Sequence, residues 1–302
     1  MDIRVLRYYL AVCQEGTMSR AAETLHVTQP TLSRQIADLE RELGCVLLER
    51  GGHRVHLTEK GLYLRRRAEE IVSLADQTTS DIRAEEGVVE GDVYIAAGES
   101  PAFSTVASAI RDFRELYPHV QFHVHSGVSS DAIWRLEHGT ADLAVLVSQP
   151  DTDDYDTLRL AATDVYVVYL PAHTALAQKE VVTPDDLVGP PLIVSEQAIK
   201  RGVLPAWFGD RLHRTNIVAT FNLFYNAAIL ARERVGYVLT LEGVVPAGDE
   251  GMTTRPLYPP VVSPADIAWK RDQPLSVPAA KFLEFLRGRP DVAQQDGRTM
   301  GM

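Results

Sequence analysis

Between Thr17 and Gly44 the apolar residues form two short helical stripes separated by a two-residue turn, and that spacing constrains the fold more than any other feature of the chain. Thr17 is a suitable N-cap, and Ala21, Ala22 and Leu25 make an inner face on which a second helix can cross closely. The chain turns at His26-Val27. Thr28 then caps another helix, Pro30 sits in its first turn, Leu32, Ile36, Leu39 and Leu43 recur at spacings of four, three and four, and Gly44 closes it. An amphipathic helix over residues 3–15 precedes the pair, with Ile3, Leu6, Leu10 and Cys13 on one face and Gly16 at its end. Burying the third stripe turns Thr31, Arg34, Gln35 and Asp38 outward, with Gln29, Pro30 and Ser33 at the leading end. Gln, Ser and Arg can bond base edges in a major groove, while Thr hydroxyls and helix-terminal N–H groups suit phosphates. Taken alone, the pattern fits a helix-turn-helix or a solvated helical hairpin equally well.

The next stretch favours the first reading. Leu47, Leu48, Val55 and Leu57 flank the tip Gly51-Gly52-His53-Arg54, which reads as two short strands and a turn. Arg50 and Arg54 stand on either side of the glycines, so this wing can lay cations along a nucleic-acid backbone or into the minor groove. The whole chain, with 30 Lys+Arg, 41 Asp+Glu and a net charge of −11, argues against a polyanion partner. The charge is unevenly placed, however. Residues 50–60 carry a local excess of two positive charges and residues 17–36 an excess of one.

Leu6 to Tyr9, Thr17 to Ala22, Leu25 to Ile36, Leu39-Glu40, Leu43-Gly44 and Glu49 to Gly61 together resemble the LysR-type transcriptional regulators, in order and at the family's spacing. Leu48 stands where that family usually has Phe, a substitution in the core. The resemblance implies an α/β chain overall, with an N-terminal winged helix-turn-helix (1–58), a linker helix (59–87) and a two-subdomain α/β effector domain of periplasmic-binding-protein type (92–290). It also implies a dimer or tetramer on interrupted inverted repeats of double-stranded DNA, with RNA polymerase as a further partner. Gln29, Pro30, Ser33 and Arg34 would then approach the major groove while Arg50 and Arg54 serve the wing, with Thr28 and Thr31 also among the DNA-binding residues.

After Thr58 a stretch free of Pro runs to about Glu86, and Leu64, Ala68, Ile71, Ala75, Thr78 and Ile82 alternate spacings of four and three. That is an a/d seam, which must be buried either on its own domain or on a second copy. Dimerisation through Leu64, Ala68, Ile71, Ala75 and Ile82 also meets a functional need, because two recognition helices on one duplex read two half-sites.

From Asp92 strands and helices alternate: a strand at 93–97, a helix at 103–117 with Val106, Ile110, Phe113 and Leu116 inward, strands at 120–124 and 143–147, and further elements to a terminal helix near 279–287. Two sheets are expected, with ligands at strand carboxyl ends. Gly139 to Val145 is the clearest match to the family's effector-binding half, which implies subdomains at about 92–162 with 267–290, and at 163–266. Ser100 lies at a helix start, where free N–H groups attract a carboxylate. Ser129 repeats the arrangement, and Ser195 and Asn222 would face them from the other subdomain; helix capping is the alternative role for the last three. A small-molecule effector, with a carboxylate as the leading candidate, is therefore expected. The polar tail, 291–302, is expected to be disordered.

Other chemistry is mostly excluded. Gly98-Glu99-Ser100-Pro101-Ala102 approaches the G-x-S-x-G turn of serine hydrolases, but Ala102 replaces the last Gly and Pro101 removes an N–H needed at an oxyanion hole. No catalytic residues, metal or cofactor are therefore assigned, and the chain is not expected to be an enzyme. His119, His123 and His125 read as an exposed sheet face more readily than as a metal site. Cys13 and Cys45 lie among apolar residues and support no disulfide framework. No apolar run is long enough to cross a bilayer and the amino terminus is not signal-like, so a cytoplasmic protein without a membrane partner is expected.

Overall fold

Asp2 accepts a hydrogen bond from the Arg4 N–H at 2.7 Å and starts α1 (Ile3–Glu15), which Gly16 ends in the left-handed conformation. The computed structural model describes residues 1–51, 54–83, 89–147, 154–245 and 248–292, without the side chains of Arg50, Gly51, Gln77 and 80–83. It falls into two units, Met1–Glu85 and Glu86–Met302, each described by itself.

In the first unit, the Thr17 hydroxyl caps α2 (Met18–Thr24) by accepting from the Arg20 N–H at 3.2 Å. His26 takes a positive φ of 53° in the turn, and α3 (Gln29–Leu43) follows. Thr28 occupies the cap position, but its hydroxyl bonds that of Thr31 at 2.8 Å instead of a backbone N–H. Strands β1 (Leu48–Gly51) and β2 (Arg54–Leu57) pair antiparallel, with Leu48 opposite Leu57. Helix α4 (Glu59–Arg83) completes the unit. Leu6, Tyr9, Val12, Ala21, Ala22, Leu32, Ile36, Leu39 and Leu47 are buried in one core. Ile3 and Leu43, expected inside, are exposed, because each lies at a helix end beyond its packing neighbours.

Leu64 and Ala68 correct the expected dimerisation seam. They are 9% and 0% exposed and pack with Leu6, Tyr9 and Val12 in the core of their own unit, so α1 takes the surface that the heptad pattern offered to a second copy. Gly61 permits the approach: a Cβ there would collide with the Leu47 carbonyl, and the Tyr9 hydroxyl donates to the Gly61 carbonyl at 2.8 Å. Ala75 is half-buried, Ile71 is exposed, and the Ile82 side chain lies outside the described residues.

The second unit begins with β3 (Gly91–Gly98), α5 (Phe103–Leu116), β4 (Val120–Gly127), α6 (Ser129–Glu137) and β5 (Leu143–Val147). Strand β3 runs parallel to both β4 and β5, as the continuous apolar run at 143–147 predicts. Then come β6 (Tyr155–Pro171), β7 (Pro191–Ser195), α7 (Glu196–Lys200), α8 (Val203–Phe208), β8 (Asn216–Phe221), α9 (Phe224–Arg232), β9 (Tyr237–Leu241), β10 (Met252–Pro256), β11 (Val262–Lys270) and α10 (Val277–Arg287). Among the described residues the strands form one path, β4-β3-β5-β11-β6-β9-β7-β8, with β10 on β6.

The two expected sheets are thus joined. Strand β6 is long enough to pair with β11 along its first part and with β9 and β10 along its last, so the subdomain junctions fall inside β6 and β11. One core packs Val93, Ile95, Val106 and Phe113 on Phe282 and Leu286 of α10, and a second gathers Val168, Leu170, Leu192, Phe208 and Leu239. Leu116, expected inward, is exposed in the last turn of α5. Asp291 and Val292, expected to belong to a disordered tail, are ordered: Asp291 accepts from Arg289 at 2.9 Å and Val292 is buried, bridging to Leu160. Residues 293–302 lie outside the described residues.

Candidate nucleic-acid interface and ligand cleft

On α3, Thr28, Gln29, Pro30, Thr31 and Arg34 are exposed and Ser33 is half-buried, while Leu32 and Ile36 hold the opposite face in the core. The burial pattern therefore presents the expected reading residues as one leading edge. Arg54 is exposed on β2 and Lys60 on the first turn of α4; the Arg50 side chain lies outside the described residues.

Charge pairing separates this face from the rest of the unit. Arg4, Arg7, Arg41, Arg65, Arg66 and Arg67 each lie against a carboxylate, on Asp2, Asp76, Asp38, Glu69, Glu70 and Glu70 respectively. Arg20, Arg34, Arg54 and Lys60 have no ion-pair partner among the described residues. The described cations left without carboxylates are thus Arg20 on α2, Arg34 on α3, Arg54 on the wing and Lys60 at the start of α4, where a phosphate would supply the missing charge. Residue spacing revealed the amphipathic faces, but pairing is a long-range property that it could not reveal.

Helix α4 keeps an apolar strip uncovered in its own unit. Tyr63, Ile71 and Leu74 are 60%, 36% and 46% exposed; Tyr63 and Leu74 are rotated from the Leu64–Ala68 face, and Ile71 continues that face two turns beyond Leu64.

In the second unit a cavity of about 90 Å³ lies between the carboxyl ends of β3, β4 and β5 on one side and α7, α8 and the start of α9 on the other. That is smaller than the 150 Å³ cavity known to admit benzene. Ser129, Ser195 and Asn222 line it, as do Glu99, Gln197 and Arg201. Ser195 also caps α7 by accepting from the Ala198 N–H at 3.4 Å, and Asn222 Oδ1 accepts from the Leu223 N–H at 2.9 Å.

Ser100 corrects the expectation that it receives the ligand. Its hydroxyl donates to Asp164 Oδ2 at 2.6 Å, and it is absent from the cavity wall. The Ala102 N–H, at the start of α5, donates to Asp164 Oδ1 at 3.3 Å. The carboxylate predicted at this helix start is thus the chain's own. Burial pushes the Asp164 carboxyl above its ordinary range, and the bonds from Ser100 and Ala102 oppose that shift. Glu99 missed attention in the sequence because no local pattern marks it; its Oε2 accepts from the Phe224 N–H at 2.8 Å and ties the β3–α5 loop to the start of α9. Arg201 donates to the Val147 carbonyl across the same cleft. Tyr166, also on the wall, is pushed up to about 12 by burial.

His123 bonds Asp92 at 2.8 Å and stacks on Tyr94, and no group of metal-ligating side chains occurs among the described residues. Cys13 and Cys45 are free thiols, half-buried, and burial raises the Cys13 pKa. Among the described residues no histidine lines the cavity, and Ser100 is not on its wall, so the hydrolase alternative gains no support. No described helix is long and apolar enough to cross a membrane.

A winged helix-turn-helix unit followed by a bilobal α/β unit with a cleft at its strand ends defines a two-part, ligand-binding type of chain. Residues 86–291 match the LysR substrate binding domain and residues 3–62 the bacterial regulatory helix-turn-helix protein, lysR family; the chain belongs to the LysR family. A probable RuBisCO transcriptional regulator of Synechocystis sp. is 33% identical over 186 residues, covering 60% of this chain and 53% of that protein, so the matched stretch spans about half the length of such relatives. The HTH-type transcriptional regulator TfdT of Cupriavidus pinatubonensis is 29% identical over 219 residues, 70% of this chain and 90% of that one. The crystal structure of CbnR, a LysR family transcriptional regulator, aligns with a TM-score of 0.73 at 20% identity over 95% of this chain and 98% of that one. Full-length CbnR complexed with its target DNA aligns at 0.71 and 21% identity, over 95% and 99%. At that identity the likeness establishes the fold.

Proposed function

We propose that this protein is a sequence-specific DNA-binding transcriptional regulator, controlled by a small molecule bound in the cleft of its α/β unit. One observation carries the first half: Arg20, Arg34, Arg54 and Lys60 lack ion-pair partners among the described residues, whereas the other described arginines and lysines of that unit are paired. CbnR, which shares the fold, has been captured on its target DNA, and the matched family supports the same role here. Gln29, Pro30, Ser33 and Arg34 would meet the major groove, with Thr28 and Thr31 beside them on phosphate and Arg50 and Arg54 on the wing.

Two copies would associate through α4, using Tyr63, Ile71 and Leu74, so that paired α3 helices read an interrupted inverted repeat. Effector binding would shift the two lobes between arrangements and alter the spacing of those helices on DNA, with RNA polymerase as the downstream partner and the cytoplasm as the place of action. Selection from a random duplex library tests the reading. Enrichment of an inverted repeat by the full chain, lost in Arg34→Ala, is expected; binding with no enriched sequence would overturn it.

A further inference from the structure

A second cavity lies at the other end of the strands from the cleft. It measures about 650 Å³, within the roughly 300–1,000 Å³ of small-molecule sites. Tyr155, Leu158 and Trp269 give it apolar walls, and Asp156, Arg271 and Arg287 supply charge. Its place follows from the strand register. Ala265 of β11 stands opposite Val147 at the cleft end of β5, and Ala268 stands opposite Ala144 near the start of that strand, so Trp269 and Arg271 come beyond it. From Ser263 on the cleft wall to Trp269, β11 runs about 20 Å.

The groups left free on this wall are donors. The Arg287 guanidinium lies 5.2 Å from the centroid of the Trp269 ring and has no ion-pair or hydrogen-bond partner among the described residues. A guanidinium held by its face on an indole keeps its N–H edge free and fixed in plane. Arg271 Nε donates to Asp156 Oδ1 at 3.0 Å, while its terminal nitrogens make no hydrogen bond among the described residues. Trp269 is 8% exposed, and its indole N–H likewise has no partner there. The neighbouring carboxylates are occupied. Glu137 accepts from the Tyr155 hydroxyl and from Lys270, and Lys281 holds Glu284 one turn before Arg287 on α10.

Charge then sets the class of occupant. On the wall two arginines face the one carboxylate of Asp156, an excess of one positive charge. Asp154 and Asp272, next to Tyr155 and Arg271 in the chain, are exposed and stand off the wall, where they would oppose a doubly charged anion. A carboxylate carries a single charge and two acceptor oxygens that match the guanidinium fork. We propose that this cavity is a second ligand site, separate from the cleft, which takes an organic carboxylate. Arg287 and Arg271 hold the carboxylate, and Trp269, Leu158 and Tyr155 receive its apolar body.

The test uses the nitrogen-15-labelled full chain with phenylpropionate, phenylpropanol and phenyl phosphate, followed through the indole N–H signal of Trp269. The chain has three tryptophans, so Trp134→Phe and Trp207→Phe identify that signal by elimination. Phenylpropionate should shift it and bind about tenfold more tightly than phenylpropanol, and more tightly than phenyl phosphate. Arg287→Gln, a change at an exposed position, should lower the affinity for phenylpropionate about tenfold and leave phenylpropanol unaffected. Gln197→Trp fills the cleft and should leave the Trp269 shift intact. An unmoved Trp269 signal, equal affinity for phenylpropanol, tighter binding of phenyl phosphate, or an affinity unchanged in Arg287→Gln overturns the proposal. Loss of the shift in Gln197→Trp also overturns it, because the carboxylate would then act from the cleft.

Discussion

The Ser100 hydroxyl and the Asp164 carboxylate meet at 2.6 Å, joining the β3–α5 loop to the long strand β6 from which the second lobe departs. Asp164 is 1% exposed, and the hydroxyl and the Ala102 N–H are the donors that compensate it. Ser100→Ala leaves a buried carboxylate with one donor, which should cost about 1–3 kcal/mol.

The same pair sets a pH dependence. Burial raises the Asp164 carboxyl above its ordinary 3.8, so the folded chain keeps a proton that the unfolded chain has released. The stability linked to that proton is fully present below 3.8 and is lost as pH rises through the raised folded value. The Tm of the wild type minus that of Asp164→Asn should therefore fall across this interval and level off above it. A difference that grows with pH would contradict the assignment.

Arg34 and Arg41 lie on the same helix, yet Arg41 is held by Asp38 at 2.7 Å while Arg34 has no carboxylate among the described residues. Arg34→Ala should lower affinity for the selected operator by about 1–3 kcal/mol and flatten discrimination against a scrambled duplex. Arg41→Ala should change either quantity little. Fluorescence anisotropy on both duplexes checks the contrast, and equal losses would remove the case for a distinct reading face.

How far the sequence alone leads depends on the range of the interaction. The α2–α3 pair was legible because caps, a two-residue turn and a stripe at Leu32, Ile36 and Leu39 are local signals. The role of Ser100 was not, since Asp164 comes 64 residues later and no spacing rule connects them. Strand β8 also went unseen: Ile217 and Val218 are both exposed, which leaves no alternation to detect. At α4 the repeat marked a seam of which only Leu64 and Ala68 are buried, and periodicity does not say what covers a face: here α1 covers those two while Ile71 stays exposed.

Lys60 offers a measurement of the electrostatic share of binding. It is exposed at the first turn of α4 and has no ion-pair partner among the described residues, so its contact would be with phosphate and carry no sequence information. Lys60→Ala should weaken operator and non-specific duplex alike and reduce the slope of log K against log salt by about 1. A loss confined to the operator would show a base contact instead.

The exposed and buried faces of α4 should respond to charge in different ways. Ile71→Asp places a carboxylate on the uncovered strip and should give a folded protein of monomer mass in light scattering. Leu64→Asp buries a charge beside Tyr9 and Val12 and should unfold the N-terminal unit, seen as lost helical signal. An unchanged oligomer mass for Ile71→Asp would exclude that strip as the interface.

Gly243 and Pro101 fix how closely the two lobes of the α/β unit meet beside the cleft. A Cβ at Gly243 would stand 2.5 Å from Pro101 Cγ and 2.7 Å from its Cβ, and the proline ring cannot swing aside. Gly243→Ala should therefore push back the loop that carries Glu99, weaken its bond to the Phe224 N–H, and cost about 1–3 kcal/mol as overpacking does. Pro101→Gly removes the colliding atoms, so the double variant should recover stability relative to the sum of the single changes. A double-mutant cycle with no coupling would show that this contact does not hold the lobes.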